Sequence, residues 1–307
     1  MLSSHTESKF KCEYCKNGYF QDKYRNISSV YSREKVLKYS VQFCNNCKIG
    51  RTYPVPTEET LKDIYQKQYA YNLHNLVQNE KRMRSLQVLR LLKKWDASCA
   101  ILEIGCGEGI FVEMATKKGY QTKGYDIDLD SVTKGNYELA NIGIYNALFY
   151  GTASNAISSE NRVTEDVFMS HTLEHILDLN SFLKSLSAKT DPGHKLFIVV
   201  PNTLNRFKHR RNKYWGYWQV PVHVTHFDRN SLNHLLKDYD YELKHSTTRS
   251  SDFLSKGLLV ANLFKVKASG IPKNNFLTVV LPTASRLWGY LYFWGSADLI
   301  SCFVKKK

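Results

Sequence analysis

The sequence predicts an α/β protein: a doubly wound, mostly parallel sheet preceded by a small cysteine-rich module. Three observations lead to this prediction. From residue 99 onward, apolar runs with strand character alternate with helical segments, and such alternation produces a parallel sheet with helices on both faces. The first of these apolar runs enters a glycine-rich turn that opens a helix. Two C-x-x-C pairs lie within the first 56 residues, which show no long helical periodicity.

The length and composition fit one enzyme-sized domain with a small appended module. The chain has 307 residues, of which 43% are hydrophobic and 23% are charged, and single domains commonly contain about 100–200 residues. The formal net charge of +15 favours partners that carry phosphate: nucleic acid, anionic lipid or a nucleotide-linked substrate. The N-terminus has no apolar signal-peptide core, and no stretch stays apolar for the ~18 residues of a spanning helix. We therefore expect a cytoplasmic protein.

Four cysteines in residues 1–56 predict a zinc-ribbon-like module. Cys12 pairs in sequence with Cys15, and Cys44 with Cys47. In a reducing compartment this spacing indicates a metal site rather than disulfides, and four thiolates complete the tetrahedral shell of one Zn²⁺. Because all four ligands come from the protein, we expect the zinc to be structural. Four free thiols or two disulfides are the alternatives.

Residues 57–98 show helical periodicity, with apolar residues among lysines and arginines, and they lead into the main domain at residues 99–307. The predicted elements of that domain are, in order, strand 99–104, helix 110–118, strand 121–126, strand 167–170, helix 180–188, strand 195–200, helix 231–237 and strand 298–304. The domain also contains a basic and aromatic loop at about residues 204–222 and an aromatic segment at about residues 275–307.

The glycine-rich turn predicts a nucleotide-type ligand. Residues 101–109 read ILEIGCGEG, a strand that enters a G-x-G-x-G turn and then a helix. Glycine is needed there because the backbone turns sharply and approaches a ligand closely. The next strand ends at Asp126, at roughly the ~20-residue offset where nucleotide-binding folds place the carboxylate for ribose hydroxyls. Because a glycine fingerprint alone is weak, a dinucleotide-binding fold or a ligand-free turn is the alternative.

These motifs resemble those of the class I S-adenosylmethionine-dependent methyltransferases, here with an N-terminal zinc-ribbon-like module. LEIGCGEG at residues 102–109 is similar to the family's first motif and GYDID at residues 124–128 to its second, and the resemblance spans about residues 99–245. It implies a Rossmann-like methyltransferase fold with S-adenosylmethionine as the cofactor, covered by the helices of residues 57–98. It implies cofactor contacts from the turn at Glu103, Gly105, Cys106, Gly107 and Gly109.

The resemblance also implies contacts outside the turn. Asp126 would bind the ribose hydroxyls and Ile127 would lie against the adenine. Thr152 stands where the family usually has an acidic residue near the adenine amine. Ser170 and His171 would line the cofactor site.

A further string, VFMSHTLEHI at residues 167–176, resembles the family's fourth motif with its Leu-Glu-His ending. It follows a strand, and the C-terminal ends of parallel strands face the ligand cleft. Methyl transfer from a sulfonium needs alignment, plus a base if the acceptor is protonated. We expect His175 to be that base and Glu174 to orient it or bind a substrate hydroxyl, a role implied by a partial resemblance to sugar C-methyltransferases with a Cys-rich N-terminus. The alternative is that both residues cap the following helix and fix the loop.

A second histidine-rich string, VHVTHFDRNSL at residues 222–232, also looks like the family. There a His-x-x-His-Phe segment precedes a helix. His223 and His226 are candidates to face the substrate. The alternative is a structural role in leading into the helix, with Asp228 or Asn230 as its N-cap.

The positive charge and the aromatic residues indicate which class of partner the protein binds. The basic and aromatic loop suits phosphate contact with base stacking, as for a nucleotide diphosphate or RNA, unless it is simply a solvated face. The aromatic C-terminal segment suits either a membrane surface or a packed helix before the last strand. We therefore expect methyl transfer to a small, phosphate-bearing acceptor such as a sugar, nucleotide-sugar or lipid-linked metabolite. The alternatives are RNA or protein methylation, peripheral membrane contact, and a non-catalytic scaffold that keeps the fold.

Overall fold

The computed structural model describes five stretches of the chain. They are residues 10–29, 38–68, 74–204, 218–249 and 298–306. Most of the basic and aromatic loop (205–217) and the first part of the aromatic C-terminal segment (275–297) lie outside the described residues. No helix within the described stretches is long and apolar enough to cross a membrane.

The N-terminal part forms a small antiparallel sheet. Its first three strands are β1 (Phe20–Ser28), β2 (Lys38–Cys44) and β3 (Gly50–Tyr53). They pair in sequence order. Two helices, α1 (Glu58–Gln68) and α2 (His74–Lys94), then lead to the main sheet.

The main domain contains the predicted alternation of strands and helices. Its elements are β4 (Ala100–Ile104), α3 (Ile110–Thr116), β5 (Gln121–Asp126), α4 (Leu129–Ala140), β6 (Leu148–Tyr150), α5 (Ala153–Ser158), β7 (Asp166–Ser170), α6 (Leu179–Lys189), β8 (Lys195–Pro201), β9 (Thr225–His226), α7 (Arg229–Lys237), β10 (Tyr241–Arg249) and β11 (Asp298–Lys305). A 3₁₀ turn at Leu173–His175 follows β7.

The main sheet has seven strands in the order β10-β11-β8-β7-β4-β5-β6. The five strands from β8 to β6 are parallel, and β11 and β10 add antiparallel pairs at one edge. The chain runs outward from β4 to β6 and then returns to the other side of β4 with β7. The switch point of the sheet therefore lies between β4 and β7, where open α/β sheets bind ligands.

Strand β8 shows how the sheet is buried on both faces. It reads KLFIVVP, a continuous apolar run typical of a strand covered on both sides. Leu196 and Ile198 pack in a buried cluster with residues of α5, α6 and α7. Phe197 and Val199 pack in a second cluster with residues of α2 and α3. Helices thus cover both faces, and the predicted doubly wound, mostly parallel fold is confirmed.

Three of the helices have an aspartate as their N-cap residue. Asp128 caps α4, Asp178 caps α6 and Asp228 caps α7, each accepting a backbone N–H of the first turn. Because Asp178 caps α6, the interpretation of Glu174 and His175 as caps of that helix is wrong. Asp228, one of the two candidates, is the cap of α7.

A two-residue strand of the main domain completes the N-terminal sheet. β9 pairs antiparallel with β3, with Gly50 opposite His226 and Arg51 opposite Thr225. The four cysteines of the two C-x-x-C pairs also belong to the same buried cluster as the α6 and α7 residues. The N-terminal module is therefore packed directly on the main domain.

Candidate active site

The glycine-rich turn connects the C-terminal end of β4 to α3. Gly105, Gly107 and Gly109 have positive φ angles of 83°, 54° and 76°, which other residues rarely adopt. A Cβ at Gly109 would lie 2.8 Å from the Leu148 side chain, so packing alone explains that glycine. A Cβ at Gly107 would meet, among the described residues, only Lys81 Nζ at 3.5 Å. The space beside Gly107 is therefore available to a ligand.

Two carboxylates flank the turn. Asp126, at the end of β5, accepts hydrogen bonds from the Gly107 N–H (2.7 Å) and the Asp128 N–H (2.9 Å). Glu103, in β4, is 5% exposed, and its Oε2 has no hydrogen-bond partner within the described stretches. Burial, and then the nearby charge of Asp126, raises the pKa of Glu103 well above its ordinary value. A polar or cationic ligand group would satisfy this buried oxygen.

Helix α2 brings to the turn a lysine that sequence reasoning missed. Lys81 is near enough to Glu103 and Asp126 to oppose the rise that burial causes in the pKa of both carboxylates. A 2.8 Å contact between Arg82 and Glu113 joins α2 to the helix that follows the turn. In the sequence Lys81 is one lysine among several basic residues of a helix, because the rotation of α2 against the turn depends on tertiary packing.

The other predicted cofactor residues lie in different environments. Ile127 is 57% exposed beyond the end of β5 and offers an apolar surface. Thr152 forms the capping box of α5 with Asn155, so its hydroxyl is engaged within the chain. Cys106 is packed among residues of α3, α4 and β6, and burial raises the pKa of its thiol. Ser170 ends β7 and is half-buried.

The Leu-Glu-His turn lies directly against the glycine turn. Thr172 Oγ1 donates a 3.0 Å hydrogen bond to the carbonyl of the last residue of β4 and fills the space that a Cβ at Gly105 would need. Glu174 is 1% exposed, and neither of its carboxylate oxygens has a hydrogen-bond partner in the described part of the chain. Glu174 Oε1 lies 3.3 Å from His171 Nδ1 and 3.9 Å from His223 Nε2.

His171 connects Glu174 to the last strand, β11. Its φ of 54° is in the left-handed region, and its Nε2 lies 3.5 Å from Asp298 Oδ1. Arg84 Nε lies 3.7 Å from the other oxygen of Asp298. Burial and Arg84 lower the pKa of His171, but Asp298 and Glu174 outweigh them, so the pKa is raised. Arg84, Asp298, His171 and Glu174 thus form a continuous row in which the two carboxylates are buried and the two basic groups are partly exposed.

The hydrogen bonding and pKa of His175 indicate a neutral imidazole. Its Nδ1 lies 2.9 Å from the carbonyl oxygen of Val222. Because a carbonyl only accepts hydrogen bonds, Nδ1 carries the proton and Nε2 carries the lone pair. Burial lowers the pKa of His175 below its ordinary value of 6.5, although Glu174 opposes this. The imidazole is therefore neutral at pH 7, and Nε2 can accept a proton.

The two histidines of the second histidine-rich string have different surroundings. His223 is 2% exposed and packs edge-to-face on His175, with ring centroids 4.7 Å apart. The ligand atoms of Glu174, His175 and His223 lie within 4.8 Å of one another, a spacing that suits a metal ion as well as proton transfer. His226 instead lies 3.0 Å from Thr52 Oγ1 in the N-terminal sheet, and burial lowers its pKa to about 3.

The cysteine cluster, defined as Cys12, Cys15, Cys44 and Cys47, has the geometry of a tetrahedral metal site. Its four Sγ atoms lie within 4.8 Å of one another, and two of the Sγ–Sγ distances are 3.8 Å and 3.7 Å. A tetrahedral Zn²⁺ with bonds of about 2.3 Å separates its sulfurs by about 3.8 Å. The Cys47 thiol lowers the pKa of Cys12, which favours the thiolate that binds metals. None of the four is in a disulfide.

A family model described as a methyltransferase domain matches residues 69–246. The match includes the glycine turn, the Leu-Glu-His turn and the five parallel strands of the main sheet. The chain is 31% identical over 107 residues to a ubiquinone biosynthesis O-methyltransferase of Aliivibrio fischeri strain MJ11, covering 34% of this chain and 44% of that protein. A protein of the same name from Vibrio vulnificus strain YJ016 is 26% identical over 106 residues, with the same coverage. The chain thus matches less than half the length of these relatives.

Solved structures share the fold. The (4+2)-cyclase SpnF has a TM-score of 0.52 at 12% identity, with 82% of this chain and 98% of that chain covered. The PH0226 protein of Pyrococcus horikoshii OT3 has a TM-score of 0.51 at 15% identity, with 80% and 99% covered. At these identities the likeness shows the fold alone.

Proposed function

This chain belongs to the class I S-adenosylmethionine-dependent methyltransferases, and from that premise we propose that it methylates a hydroxyl group of a small acceptor. The proposed acceptor class is a sugar, a nucleotide-sugar or a lipid-linked metabolite. The observation that carries the proposal is the neutral imidazole of His175 next to the buried carboxylate of Glu174, at the switch point of the sheet. The curated relatives are named O-methyltransferases, which supports an oxygen acceptor.

S-adenosylmethionine supplies a methyl group on a sulfonium sulfur. The residues proposed to bind it surround the glycine turn. Gly107 borders open space, the unpartnered Oε2 of Glu103 can accept from the cofactor's amino group, and Lys81 can pair with its carboxylate. Asp126 is proposed to bind the ribose hydroxyls, and the exposed side chain of Ile127 to pack on the adenine.

The proposed reaction is an in-line displacement at the methyl carbon. As the acceptor oxygen bonds to that carbon, the carbon–sulfur bond breaks and its electron pair stays on sulfur. The hydroxyl proton passes to Nε2 of His175, so the products are a methyl ether, a neutral thioether and an imidazolium. The buried carboxylate of Glu174 stabilises that imidazolium.

Charge favours a phosphate-bearing acceptor. Glu174 is 1% exposed and His223 is 2% exposed, whereas His175 is only half-buried, so an acceptor hydroxyl can approach its imidazole from the exposed side. The net charge of +15 attracts a phosphate or diphosphate on the same molecule.

A transfer assay with S-adenosylmethionine labelled in its methyl group tests the proposal. The protein is incubated separately with nucleotide-sugars, lipid-linked sugars and total RNA. We expect label in a small-molecule fraction. For His175→Gln we expect a rate at least about 100-fold below that of the wild type, because general-base catalysis contributes about that factor. His234→Gln, at an exposed histidine of α7, is the matched control and should keep the wild-type rate. Label found in RNA alone would contradict the small-acceptor class.

We also propose that the cysteine cluster binds one structural Zn²⁺. The sulfur–sulfur distances support this, and four protein ligands leave no coordination position for substrate. Metal analysis of the purified protein should give about one zinc per chain. Cys47→Ser should lower that content, whereas Cys99→Ser, at an exposed cysteine, should not. A folded wild-type protein without zinc would contradict the proposal.

A further inference from the structure

Residues 222–226, which we call the acceptor segment, contact the proposed catalytic turn along one side. The Val222 carbonyl accepts the 2.9 Å hydrogen bond from His175 Nδ1. The Val224 N–H donates to the Glu174 carbonyl at 2.8 Å. His223 Nε2 lies 3.9 Å from Glu174 Oε1. The position of this segment therefore determines the tautomer of His175 and the surroundings of Glu174.

Along its other side the acceptor segment is bonded to Thr52 of β3, which is fully buried. The Thr52 N–H donates to the Val224 carbonyl at 2.8 Å. Its hydroxyl lies 2.6 Å from the His223 carbonyl and 3.0 Å from His226 Nε2. Since the hydroxyl has one proton, which it donates to the carbonyl, it accepts from His226 Nε2. One side chain thus fixes both histidines of the segment.

The cysteine cluster is connected to the acceptor segment through both of its C-x-x-C pairs. Tyr14 lies between the first two cysteines in sequence, and its hydroxyl is 3.2 Å from Thr225 Oγ1. β3 follows the second pair and pairs with β9. The cysteines and Phe227, which follows the segment, belong to one buried cluster. The fold around the cysteine cluster therefore affects the position of the acceptor segment.

The contacts of Thr52 and Tyr14 with the acceptor segment are separate from the proposed cofactor site. The residues there come from β4, β5, α2 and the glycine turn, and none of the hydrogen bonds described for Thr52 or Tyr14 reaches them. A change in the N-terminal sheet should therefore alter the acceptor side of the active site and leave cofactor binding intact.

We propose that the N-terminal sheet is a structural part of the acceptor site, and that Thr52 is the positioning residue that fixes the acceptor segment against Glu174 and His175. The proposal rests on the proposed function for the roles of those two residues. Metal in the cysteine cluster then acts on methyl transfer through β3 and the acceptor segment, at a distance from the reacting atoms.

Thr52→Val tests the proposal, because it removes the hydroxyl and keeps the shape of the side chain. Thr52→Ser restores the hydroxyl, and Thr164→Val, at an exposed threonine before β7, is the matched control. The full-length, metal-loaded protein is labelled with ¹⁵N-histidine, and the imidazoles are titrated by NMR while binding of S-adenosylhomocysteine is measured by calorimetry.

We expect Thr52→Val to change the resonance positions of His226. The pKa of His175 should shift by about half a unit or more toward its ordinary value. The Kd for S-adenosylhomocysteine should stay within about twofold of the wild-type value. Thr52→Ser and Thr164→Val should behave as wild type. An unchanged titration of His175 in Thr52→Val would overturn the proposal, and so would a parallel loss of S-adenosylhomocysteine binding. If Thr52→Val does not fold, removal of metal by a chelator should give the same shifts, and their absence would overturn it.

The kinetic measurement separates this inference from the proposed function. With an acceptor found by the transfer assay, Thr52→Val should lower kcat about tenfold and leave the KM for S-adenosylmethionine unchanged. If the wild type transfers no methyl group, the proposed function is contradicted. The NMR titration then still shows whether Thr52 positions the imidazole of His175.

Discussion

The buried carboxylate of Glu174 determines the electrostatics around the candidate base. An isolated ionised carboxylate would be strongly disfavoured at 1% exposure. Asp298 and Glu174 raise the pKa of His171, which favours its positively charged form, and Arg84 lies on the other side of Asp298. The carboxylate of Glu174 lies beside His171 and is available to an imidazolium formed on His175.

The lowered pKa of His175 predicts the pH dependence of methyl transfer. The neutral imidazole is the active form, so kcat/KM should be constant above the pKa and fall tenfold per pH unit below it. Because burial lowers the pKa from 6.5, the midpoint should lie below that value. Initial rates from pH 5 to 8 measure it, and a midpoint above 6.5 would contradict the assignment of His175 as the base.

The sequence indicated some of the candidate site residues and missed others. Glu103, Asp126, Glu174 and His175 lie in contiguous motifs at the ends of strands, where the direction of the sheet brings them to one edge. Lys81 was missed because it comes from a helix whose rotation against the sheet has no local signal. Arg84 and Asp298 were missed for the same reason: α2 and β11 meet only in the folded chain.

The N-cap of helix α7 contributes to the stability of the protein. Asp228 is 8% exposed, and its carboxylate accepts from the N–H groups of Asn230 (2.9 Å) and Ser231 (2.8 Å). Asp228→Ala should lower the free energy of unfolding by about 1 kcal/mol, the usual loss for an N-cap. Denaturant unfolding measures this. Asp238→Ala, at the exposed C-terminal end of the helix, should change it by less than about 0.5 kcal/mol, and equal effects of the two variants would contradict the capping argument.

Several elements were predicted with nearly the right bounds, but α4, β6, α5 and β10 were not predicted. Strand β5 has the predicted bounds, 121–126, and β11 extends the predicted 298–304 by one residue. Helix α3 ends at Thr116, two residues before the predicted end. Strand β9 has two residues, too few for any alternation to be visible, and it forms only because β3 offers an edge.

For the molecule as a whole, the two sheets behave as one structural unit. The cysteine cluster belongs to the same buried cluster as the α6 and α7 face of the main sheet, and β9 joins the main domain to the N-terminal sheet. Metal that binds only the folded protein stabilises all of it. A chelator should therefore lower the Tm of one cooperative transition by several degrees, as measured by calorimetry. Loss of a separate minor transition, with the main Tm unchanged, would show that the two parts are independent.

The most direct test of the account is calorimetric titration of the protein with S-adenosylhomocysteine, for the wild type and for Gly107→Arg. Gly107 borders the open space beside the turn, which an arginine side chain would fill. Gly119→Arg is the matched control, because Gly119 also has a positive φ, of 88°, and has nothing within 4 Å of a Cβ among the described residues. Micromolar binding by the wild type and Gly119→Arg, lost in Gly107→Arg, is the predicted result. Equal binding by Gly107→Arg, or no binding by a folded wild type, would contradict the account.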